Sequence, residues 1–298
     1  MGTSSTKLYK YGQRVAISLA EAFDEPIPQM RYQKLLFLVT REQEKPSYYF
    51  VPYQYGCYSF SAAADRDKLV AKSFLEPSYD GWKIRKGISA CKELTEADRT
   101  AIAKIASNYG KFSTNELIQL VHNRYPYYTC HSKKKGRFGI PQNGEQHDGE
   151  DRGTGKLFTI GYESLCIEEF VNQLIKSEVR LLVDVRKNPI SRKFGFSKTR
   201  LTAILRNMKI QYRHLPGLGI PADVRNNFLP TNDRTALFEW YKSSVLTGKN
   251  NDIHSLYEIA SSETASALVC FEKNHSDCHR SHLADFISKN TNKAIVHL

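Results

Sequence analysis

The stretch RLLVDV at residues 180–185 decides the fold of the C-terminal half of this chain. It is a short, nearly continuous apolar run, and such runs are typical of strands that are buried on both faces of a parallel sheet. Helical patterns separate it from four further strand-like segments: LFTIG at 157–161, IQYRHL at 210–215, ALVCFE at 267–272 and AIVHL at 294–298. The alternation of strand and helix predicts an α/β domain with a mostly parallel sheet and helices on both of its faces.

Polar residues of types that act in catalysis or ligand binding directly follow the predicted strands. In a parallel α/β sheet, ligands bind beyond the carboxyl ends of the strands. Four segments place acids, bases or thiols at those ends: GYES at 161–164, DVRKNPISRK at 184–193, HLPGLG at 214–219, and residues 270–280 with CFE and DCHR. We therefore expect the functional site to be built from loops that are far apart in the sequence.

Four motifs carry a resemblance to a known family. They are TIGYES at 159–164, LLVDVRKNPISRKFGFSK at 181–198, YRHLPGLGIP at 212–221 and LVCFEKNHSDCHRSHLADF at 268–286. Through these motifs, residues 157–298 resemble the domain of unknown function 488 family. The resemblance implies a Rossmann-like α/β fold. Members of that family resemble proteins of nucleic-acid processing and bacterial genome defence, so the resemblance also implies a role on nucleic acid.

Residues 1–130 predict a separate, mainly helical domain. Apolar residues recur there at helical spacing, and GWKIRKG at 81–87 has the composition of an exposed basic strand. Helices followed by a short basic hairpin are typical of winged-helix modules, and the turn YGCYS at 55–59 gives a weaker likeness to antitoxin-like domains. A nucleic-acid-binding domain and a domain that only mediates dimerisation both remain open. Residues 131–156 are rich in glycine and charge, which predicts a flexible linker.

The net charge of +12 favours a polyanionic partner. The sequence has 43 lysines and arginines against 31 aspartates and glutamates. Ten basic residues and one acid, Asp184, lie between Val179 and Arg213. A hydrated basic surface is the alternative explanation, but this local concentration fits the binding of nucleic acid, DNA in particular, better.

Composition also indicates where the protein works. The six cysteines are scattered singly, so they do not form a disulfide framework. No apolar run approaches the ~20 residues that a membrane-spanning helix requires. We expect a cytoplasmic protein without a membrane partner, and a homodimer remains open.

Carboxylates at strand ends are the first candidates for catalysis. Glu163 and Glu272 follow two different strands, and if they face each other they fit acid–base attack at an anomeric carbon. The same pair with Asp184 fits Mg²⁺ binding and phosphodiester cleavage instead. Asp184 has the alternative role of an ion-pair partner for Arg186. With His279, the predicted catalytic residues are Glu163, Asp184, Glu272 and His279.

Basic and hydroxyl side chains near the same strand ends are candidates for substrate binding. Arg186, Arg192 and Lys193 can donate charge-assisted hydrogen bonds to phosphate. Phe194 and Phe196 flank Gly195, where phenylalanines are more often loop anchors, with stacking on a base as the alternative. The remaining predicted binding residues are Tyr162, Ser191, Lys198, His214 and Arg280, the last at a helix start that fits an anion.

Two cysteines raise a thiol or metal hypothesis. Cys278 lies near a predicted helix start and beside Arg280, an environment that lowers the pKa of a thiol, so Cys278 is a candidate nucleophile. Cys270, Cys278 and His279 are also metal-ligand types, with core packing as the alternative for Cys270. Their spacings of eight and one do not match the paired cysteines of structural zinc sites. We expect no resident metal, apart from the divalent ion of the phosphodiester alternative.

Together these residues predict an enzyme that hydrolyses nucleic acid. Removal of a modified base from DNA by N-glycosidic cleavage is slightly preferred over phosphodiester cleavage. Two alternatives from other classes remain open. One is a non-enzymatic DNA-binding regulator whose α/β domain senses a nucleotide, and the other is a small-molecule enzyme that uses Cys278.

Overall fold

The structure, a computed structural model, describes residues 10–133, 156–228, 234–247 and 250–298. The chain divides into two compact units, Met1–Glu145 and Gln146–Leu298. Apart from residues 131–133 and 156, the linker predicted at 131–156 lies outside the described residues. Within the described ranges, no helix combines the length and the apolar character needed to cross a membrane.

The N-terminal unit is built from helices around one apolar core, with two short hairpins. Its helices are α1 (Tyr11–Glu21), α2 (Gln29–Glu42), α3 (Phe60–Ala71), α4 (Glu96–Tyr109) and α5 (Thr114–Arg124). Its antiparallel strand pairs are β1 (Val51–Tyr53) with β2 (Gly56–Tyr58), and β3 (Leu75–Ser78) with β4 (Gly81–Ile84). The mainly helical character predicted for this part of the chain is confirmed.

Helix α2 lies in the middle of this core. All of its residues from Tyr32 to Thr40 are buried, because α4, α5 and strand β2 of the first hairpin pack against it. The buried Lys34 amine donates a hydrogen bond to the Cys57 carbonyl at 2.7 Å. Burial lowers the pKa of that amine. Its hydrogen bond satisfies a polar group that would otherwise destabilise the core.

The C-terminal unit has the predicted α/β architecture. Its strands are β5 (Leu157–Gly161), β6 (Leu181–Asp184), β7 (Gln211–His214), β8 (Ser266–Cys270) and β9 (Ile295–His297). They form one sheet in the order β7-β6-β8-β5-β9, and all of its strand pairs are parallel. The helices are α6 (Ile167–Lys176), α7 (Lys198–Asn207), α8 (Ala222–Phe228), α9 (Arg234–Ser244), α10 (Asn251–Ser261) and α11 (His279–Thr291). This arrangement is consistent with a Rossmann-like fold.

Burial explains the apolar sequences of the inner strands. Every residue of β5 and of β8 is buried, as are Leu182, Val183 and Asp184 in β6. A strand covered on both faces has no solvent side, so its sequence does not alternate between apolar and polar residues.

The strand order creates a topological switch between β6 and β8. From β6 the chain moves outward to β7, whereas from β8 it moves to the opposite side of the sheet, to β9. The loops that follow these neighbouring strands therefore diverge and leave a crevice at the carboxyl ends. The register pairs Asp184 with Val269 and Gly161 with Cys270, which brings the ends of three strands together.

Candidate functional site

A cleft of about 340 Å³ opens at the carboxyl ends of β6 and β8. The switch in strand order is the physical reason for its position. Seven of the residues predicted for the site line this cleft: Tyr162, Arg186, Ser191, Arg192, Lys193, Glu272 and His279. Six others lie outside its lining: Glu163, Asp184, Lys198, His214, Cys278 and Arg280.

A buried ion pair holds the end of β6. Asp184 is fully buried, and its carboxylate accepts hydrogen bonds from Arg186 Nε at 2.9 Å and from the Tyr212 hydroxyl at 2.7 Å. Arg186 Nη1 donates to the Tyr162 hydroxyl at 2.8 Å and to the Phe196 carbonyl at 3.0 Å. Burial lowers the pKa of Arg186, but the contacts with Asp184 outweigh burial and raise it. The guanidinium is therefore charged.

This ion pair changes the roles predicted for its two members. Both carboxylate oxygens of Asp184 already accept hydrogen bonds, and none of its surface is exposed. Asp184 is therefore not placed to take a proton from a ligand or to coordinate Mg²⁺ in the cleft. Arg186 lines the cleft, yet its donors point at protein groups, so it positions the loop. The ion-pair alternative is the one that this geometry supports.

The loop between β6 and α7 is fixed by its own hydrogen bonds. The Ser191 N–H donates to the Ser197 hydroxyl at 3.0 Å, and that hydroxyl donates to the Ser191 carbonyl at 2.9 Å. The Lys193 amine donates to the carbonyl of Tyr162 at 3.0 Å and to that of Glu163. These contacts tie the loop to the end of β5.

Aromatic packing anchors the second half of this loop. Phe196 is fully buried, and its ring stacks on that of Tyr162 with the centroids 4.2 Å apart. Gly195 has a φ of +95°, and a Cβ there would lie 2.7 Å from the first side chain of α6. Because the Phe196 ring is buried, it anchors the loop, as expected for a phenylalanine beside glycine, and the alternative that it stacks on a base does not fit. Phe194 lies under the guanidinium of Arg200, at 4.7 Å.

The charged side chains that remain open to the cleft are mostly cations. Lys187 and Arg192 are exposed on the loop after β6, and Arg225 is exposed on α8. Lys193 is half-buried and adds a further positive charge. Among the described residues that line the cleft, Glu272 is the only carboxylate. The arrangement favours an anionic ligand.

The end of β8 presents Glu272 to the cleft. Arg280 is only 1% exposed, and it donates from Nη1 to the Glu272 carbonyl at 2.6 Å and from Nη2 to the Lys273 carbonyl at 3.1 Å. Gly161 packs against the same segment so closely that a Cβ would lie 1.8 Å from the Glu272 carbonyl oxygen. Arg280 therefore positions the segment after β8. The anion contact predicted for it does not fit a buried guanidinium that faces two carbonyls.

Two thiols and an imidazole form a buried cluster beside Glu272. Cys270 Sγ lies 3.3 Å from Glu272 Oε2 and 3.8 Å from His279 Nδ1. Cys278 Sγ lies 4.0 Å from the same nitrogen, and His279 Nε2 lies 3.2 Å from the Val185 carbonyl oxygen. Among the described residues, this Cys–Cys–His cluster is the one group of three or more His, Cys or acidic side chains whose ligand atoms come within 4.8 Å of one another.

Burial controls the acidity of these groups. It raises the pKa of the Cys278 thiol well above its usual value. The prediction of a lowered pKa at Cys278 is therefore wrong, because the thiol is 1% exposed and the start of α11 does not compensate for desolvation. For Glu272, burial alone would raise the pKa of the carboxyl. Hydrogen bonds from the Cys278 thiol and from its own backbone amide outweigh burial and lower that pKa.

Three other predicted residues surround the cleft without lining it. Glu163 is exposed, and its carboxylate accepts a hydrogen bond from the Lys273 N–H at 2.9 Å. Lys198 Nζ lies 3.5 Å from His214 Nδ1, and His214 Nε2 lies 2.9 Å from the Arg186 carbonyl oxygen. Among the described lining residues, Glu272 therefore stands without the second carboxylate that the sequence predicted.

The loops that form this cleft contain the motifs behind the family resemblance. Residues 166–287 match the family model described as Domain of unknown function DUF488. The match confirms the resemblance within the C-terminal unit, although the motif at 159–164 precedes its first residue. Searches of curated proteins and of solved structures found no match to the chain. The winged-helix resemblance of the N-terminal unit has no support from these comparisons and stays a prediction.

Within the DUF488 match, several residues that line the cleft were not among the predicted site residues, including the exposed Phe271, Ile190 and Arg225. Phe271 is 44% exposed and meets the Tyr162 ring edge-on at 5.4 Å. Ile190 is 84% exposed on the loop after β6, and Arg225 extends from α8. A signal for Phe271 was available, because it stands between two polar candidates at a strand end. Arg225 gave no such signal, because it follows no strand directly.

Proposed function

We propose that the C-terminal unit hydrolyses the N-glycosidic bond of a modified base in DNA. The observation that carries this proposal is the charge of the cleft. Glu272 is the only carboxylate among its described lining residues, and the other charged lining residues are cations. Such a site suits a substrate that carries negative charge at its edges and develops positive charge at its reacting carbon. A nucleotide that loses its base through an oxocarbenium-like transition state has both properties.

The cations provide the contacts for the DNA backbone. Lys187 and Arg192 come from the loop after β6 and Arg225 from α8, so phosphate can be reached from two elements. Their side chains are exposed, and no ion pair between described residues engages them. Exposed arginines can form bidentate, charge-assisted hydrogen bonds with phosphate. This set supports a ligand with more than one phosphate.

Two exposed apolar side chains provide a surface for a base. Phe271 and Ile190 both line the cleft, next to the cations. A base that leaves the duplex stack needs an aromatic or apolar surface in the enzyme to offset the cost of unstacking. Phe271 and Glu272 line the same cleft, so a base that contacts the Phe271 ring can bind in the same cleft as the carboxylate.

Glu272 fits the role of general base. Its carboxylate takes a proton from a water molecule while the water oxygen forms a bond to the anomeric carbon. The bond from that carbon to the base nitrogen breaks, and its electron pair leaves with the base. The proton held by Glu272 then passes to the departing base. The negative carboxylate also stabilises the positive charge of the transition state.

The other candidate reactions fit this geometry less well. Phosphodiester cleavage with Mg²⁺ needs several oxygen ligands, but Asp184 is engaged by Arg186 and Glu163 lies outside the cleft lining. A small-molecule enzyme with Cys278 as the nucleophile needs an accessible thiolate, whereas this thiol is buried and its pKa is raised.

The N-terminal unit completes the proposal as the part that positions the polymer. Strand β4 of its second hairpin and the residues directly after that strand expose Lys83, Arg85 and Lys86. The six free thiols fit a reducing cytoplasm. Because members of the similar family resemble proteins of genome defence, the proposal also includes a cytoplasmic role in antiviral defence.

The direct test is base release from DNA by the purified full chain. Oligonucleotides with oxidised, alkylated, deaminated or enzymatically methylated bases are incubated with the protein, and abasic sites are revealed by alkali. Glu272→Gln is expected to reduce base release at least about 100-fold, because an amide does not accept the proton from water. DNA affinity should stay unchanged. Glu163→Gln is the matched control: it makes the same change at another strand end, outside the cleft lining, and should keep the wild-type rate.

Each other outcome has a distinct meaning. Base release that is equal in Glu272→Gln and wild type would overturn the role of Glu272. Breakage of unmodified strands that Glu272→Gln abolishes would replace N-glycosidic by phosphodiester cleavage. Nucleotide binding without turnover on any modified or plain DNA would overturn the enzyme proposal in favour of the non-enzymatic regulator.

A further inference from the structure

We propose that Cys270, Cys278 and His279 form a binding site for one transition-metal ion, with zinc as the expected metal. The fourth coordination position of this ion faces the cleft. The sequence spacing argued against zinc because it lacks paired cysteines. The fold brings the three ligands together instead, from the end of β8 and the start of α11.

The distances between the ligand atoms are close to those of a tetrahedral site. Zn–S bonds of about 2.3 Å and Zn–N bonds of about 2.0 Å imply S···N separations of about 3.5 Å and an S···S separation of about 3.8 Å. His279 Nδ1 lies 3.8 Å from Cys270 Sγ and 4.0 Å from Cys278 Sγ. All three ligand atoms lie within 4.8 Å of one another. The two S···N distances therefore exceed those of a tetrahedral zinc site by only about half an ångström or less.

The imidazole of His279 is oriented as a ligand. Its Nε2 lies 3.2 Å from the Val185 carbonyl oxygen, which has no proton to donate, so the ring proton belongs on Nε2. Nδ1 then presents its lone pair to the two thiols. A hydrogen bond from the distal nitrogen to a backbone carbonyl is the usual support of a metal-binding histidine.

The protein holds the cluster in place from several sides. Cys270, Cys278 and His279 are each at most 3% exposed. The Tyr241 ring packs edge-on against His279, with the centroids 5.2 Å apart, and its hydroxyl donates to the Leu218 carbonyl at 2.7 Å. Rigid, buried ligands lower the cost of assembling a metal site.

The cleft gives this site an open side. Cys270 and His279 contribute to the lining of the cleft, and so does the carboxylate-bearing Glu272. Glu272 Oε2 lies 3.3 Å from Cys270 Sγ but does not belong to the group of converging ligand atoms. Three protein ligands with a vacant position beside a carboxylate are typical of catalytic zinc, whereas structural zinc has four protein ligands.

The arrangement also suggests what the ion would do. A zinc ion lowers the pKa of a bound water, and Glu272 stands where it can take the proton. In this respect the site resembles base-modifying zinc enzymes, which combine two cysteines and a histidine with a glutamate that is not a ligand. This catalytic use rests on the proposed function. The binding of the metal does not.

Metal binding can be measured without any substrate. Zinc in the purified full chain is determined by mass spectrometry, and the chelator-treated protein is titrated with Co²⁺. We expect one zinc per chain and a Co²⁺ complex with thiolate charge-transfer absorption and the intense visible bands of tetrahedral geometry. Cys278→Ser should weaken Co²⁺ binding at least about 100-fold.

Cys166→Ser is the matched control. This cysteine belongs to the same unit, and its thiol accepts the Glu169 N–H at the start of α6, where serine is a good N-cap. The variant should bind Co²⁺ like wild type. If Cys278→Ser does not fold, the wild-type spectrum still decides the matter.

The results separate this inference from the proposed function. A folded wild-type chain that takes up neither zinc nor Co²⁺ overturns the metal site, as does equal binding by Cys278→Ser. A Cys270–Cys278 disulfide in protein kept under reductant also overturns it. Glu272→Gln should keep the Co²⁺ spectrum, so a loss of base release in that variant bears on the function alone.

Discussion

Two carboxylates at the ends of neighbouring strands have opposite environments. Asp184 ends β6, is fully buried, and is neutralised by Arg186 with further hydrogen bonds from the Tyr212 hydroxyl and the Arg186 N–H. Glu272 follows β8, is partly exposed in the cleft, and contacts the Cys270 thiol. No ion pair between described residues involves Glu272.

This difference indicates which of the two carboxylates can accept a proton in a reaction. A buried carboxylate that is paired on both oxygens stabilises a loop, and its charge is already compensated. A carboxylate that faces a cleft with cationic walls retains oxygens that can accept a proton. The predictions below separate these roles, because the loop after β6 and the segment after β8 can be disturbed independently.

The largest expected effect is the loss of stability on breaking the ion pair. Asp184→Asn leaves the Arg186 charge buried without compensation, and removal of one partner from such a pair costs about 3–5 kcal/mol. Trp240 reports unfolding of the C-terminal unit, because it packs against the core there. The other tryptophan, Trp82, lies in the N-terminal unit and can be replaced by phenylalanine to leave a single reporter.

The counterpart is Glu272→Gln in the same single-tryptophan background. Its free energy of unfolding in urea should change by less than about 1 kcal/mol, as is common for substitutions that leave no buried charge unpaired. Equal destabilisation by Asp184→Asn and Glu272→Gln would mean that the two carboxylates do not differ as their contacts indicate.

Two glycine substitutions disturb the two walls of the cleft separately. Gly161 lies against the segment after β8, and Gly219 lies against the loop after β6. A Cβ at position 161 would lie 1.8 Å from the Glu272 carbonyl oxygen, and one at position 219 would lie 2.1 Å from the Lys187 nitrogen. Each alanine variant should lose about 1–3 kcal/mol of stability, because the backbone must move. We expect Gly161→Ala to slow base release by about 10-fold or more with DNA affinity retained. Gly219→Ala should mainly weaken DNA binding. The reverse pattern would contradict the assignment of catalysis to the segment after β8 and of DNA binding to the loop after β6.

The smallest expected effect concerns the salt dependence of DNA binding. Each phosphate contact contributes a slope of about 0.9 to the fall of log K with log[salt]. Arg192→Gln should lower that slope by about one, measured by fluorescence anisotropy with duplex DNA at several salt concentrations. Arg180→Gln removes an exposed arginine from the amino end of β6, away from the cleft, and should leave the slope unchanged. Binding by wild type that is insensitive to salt would remove the polyanion argument.

Local pattern predicted the sheet and the end of the sheet at which the cleft lies. Apolar runs such as 180–185 mark strands because a strand covered on both faces needs no polar side, and parallel topology places ligands at the carboxyl ends. These rules led to Tyr162, Arg192 and Glu272 in one cleft. They depend only on short stretches of sequence and on the alternation of strand and helix.

Long-range partners decided what local pattern did not predict. The Arg186 ion pair was open to sequence reasoning as an alternative, but the hydroxyl of Tyr212, from another strand, that donates to Asp184 Oδ2 was not. Arg280 faces the carbonyls after β8 because α11 packs beside that strand. The thiols of Cys270 and Cys278 converge across eight residues of sequence because a short turn returns the chain to the same end of the sheet. None of these contacts leaves a periodic signal in the sequence.

Chemical rescue tests the central claim, that the Glu272 carboxylate serves the reacting carbon, most directly. Glu272→Ala leaves room for a small anion, and single-turnover base release is measured with and without azide or formate. We expect the variant to be slow without an anion, to recover with either one, and to yield a sugar azide at the anomeric carbon when azide is present. Wild-type rates in Glu272→Ala without any added anion would contradict the claim.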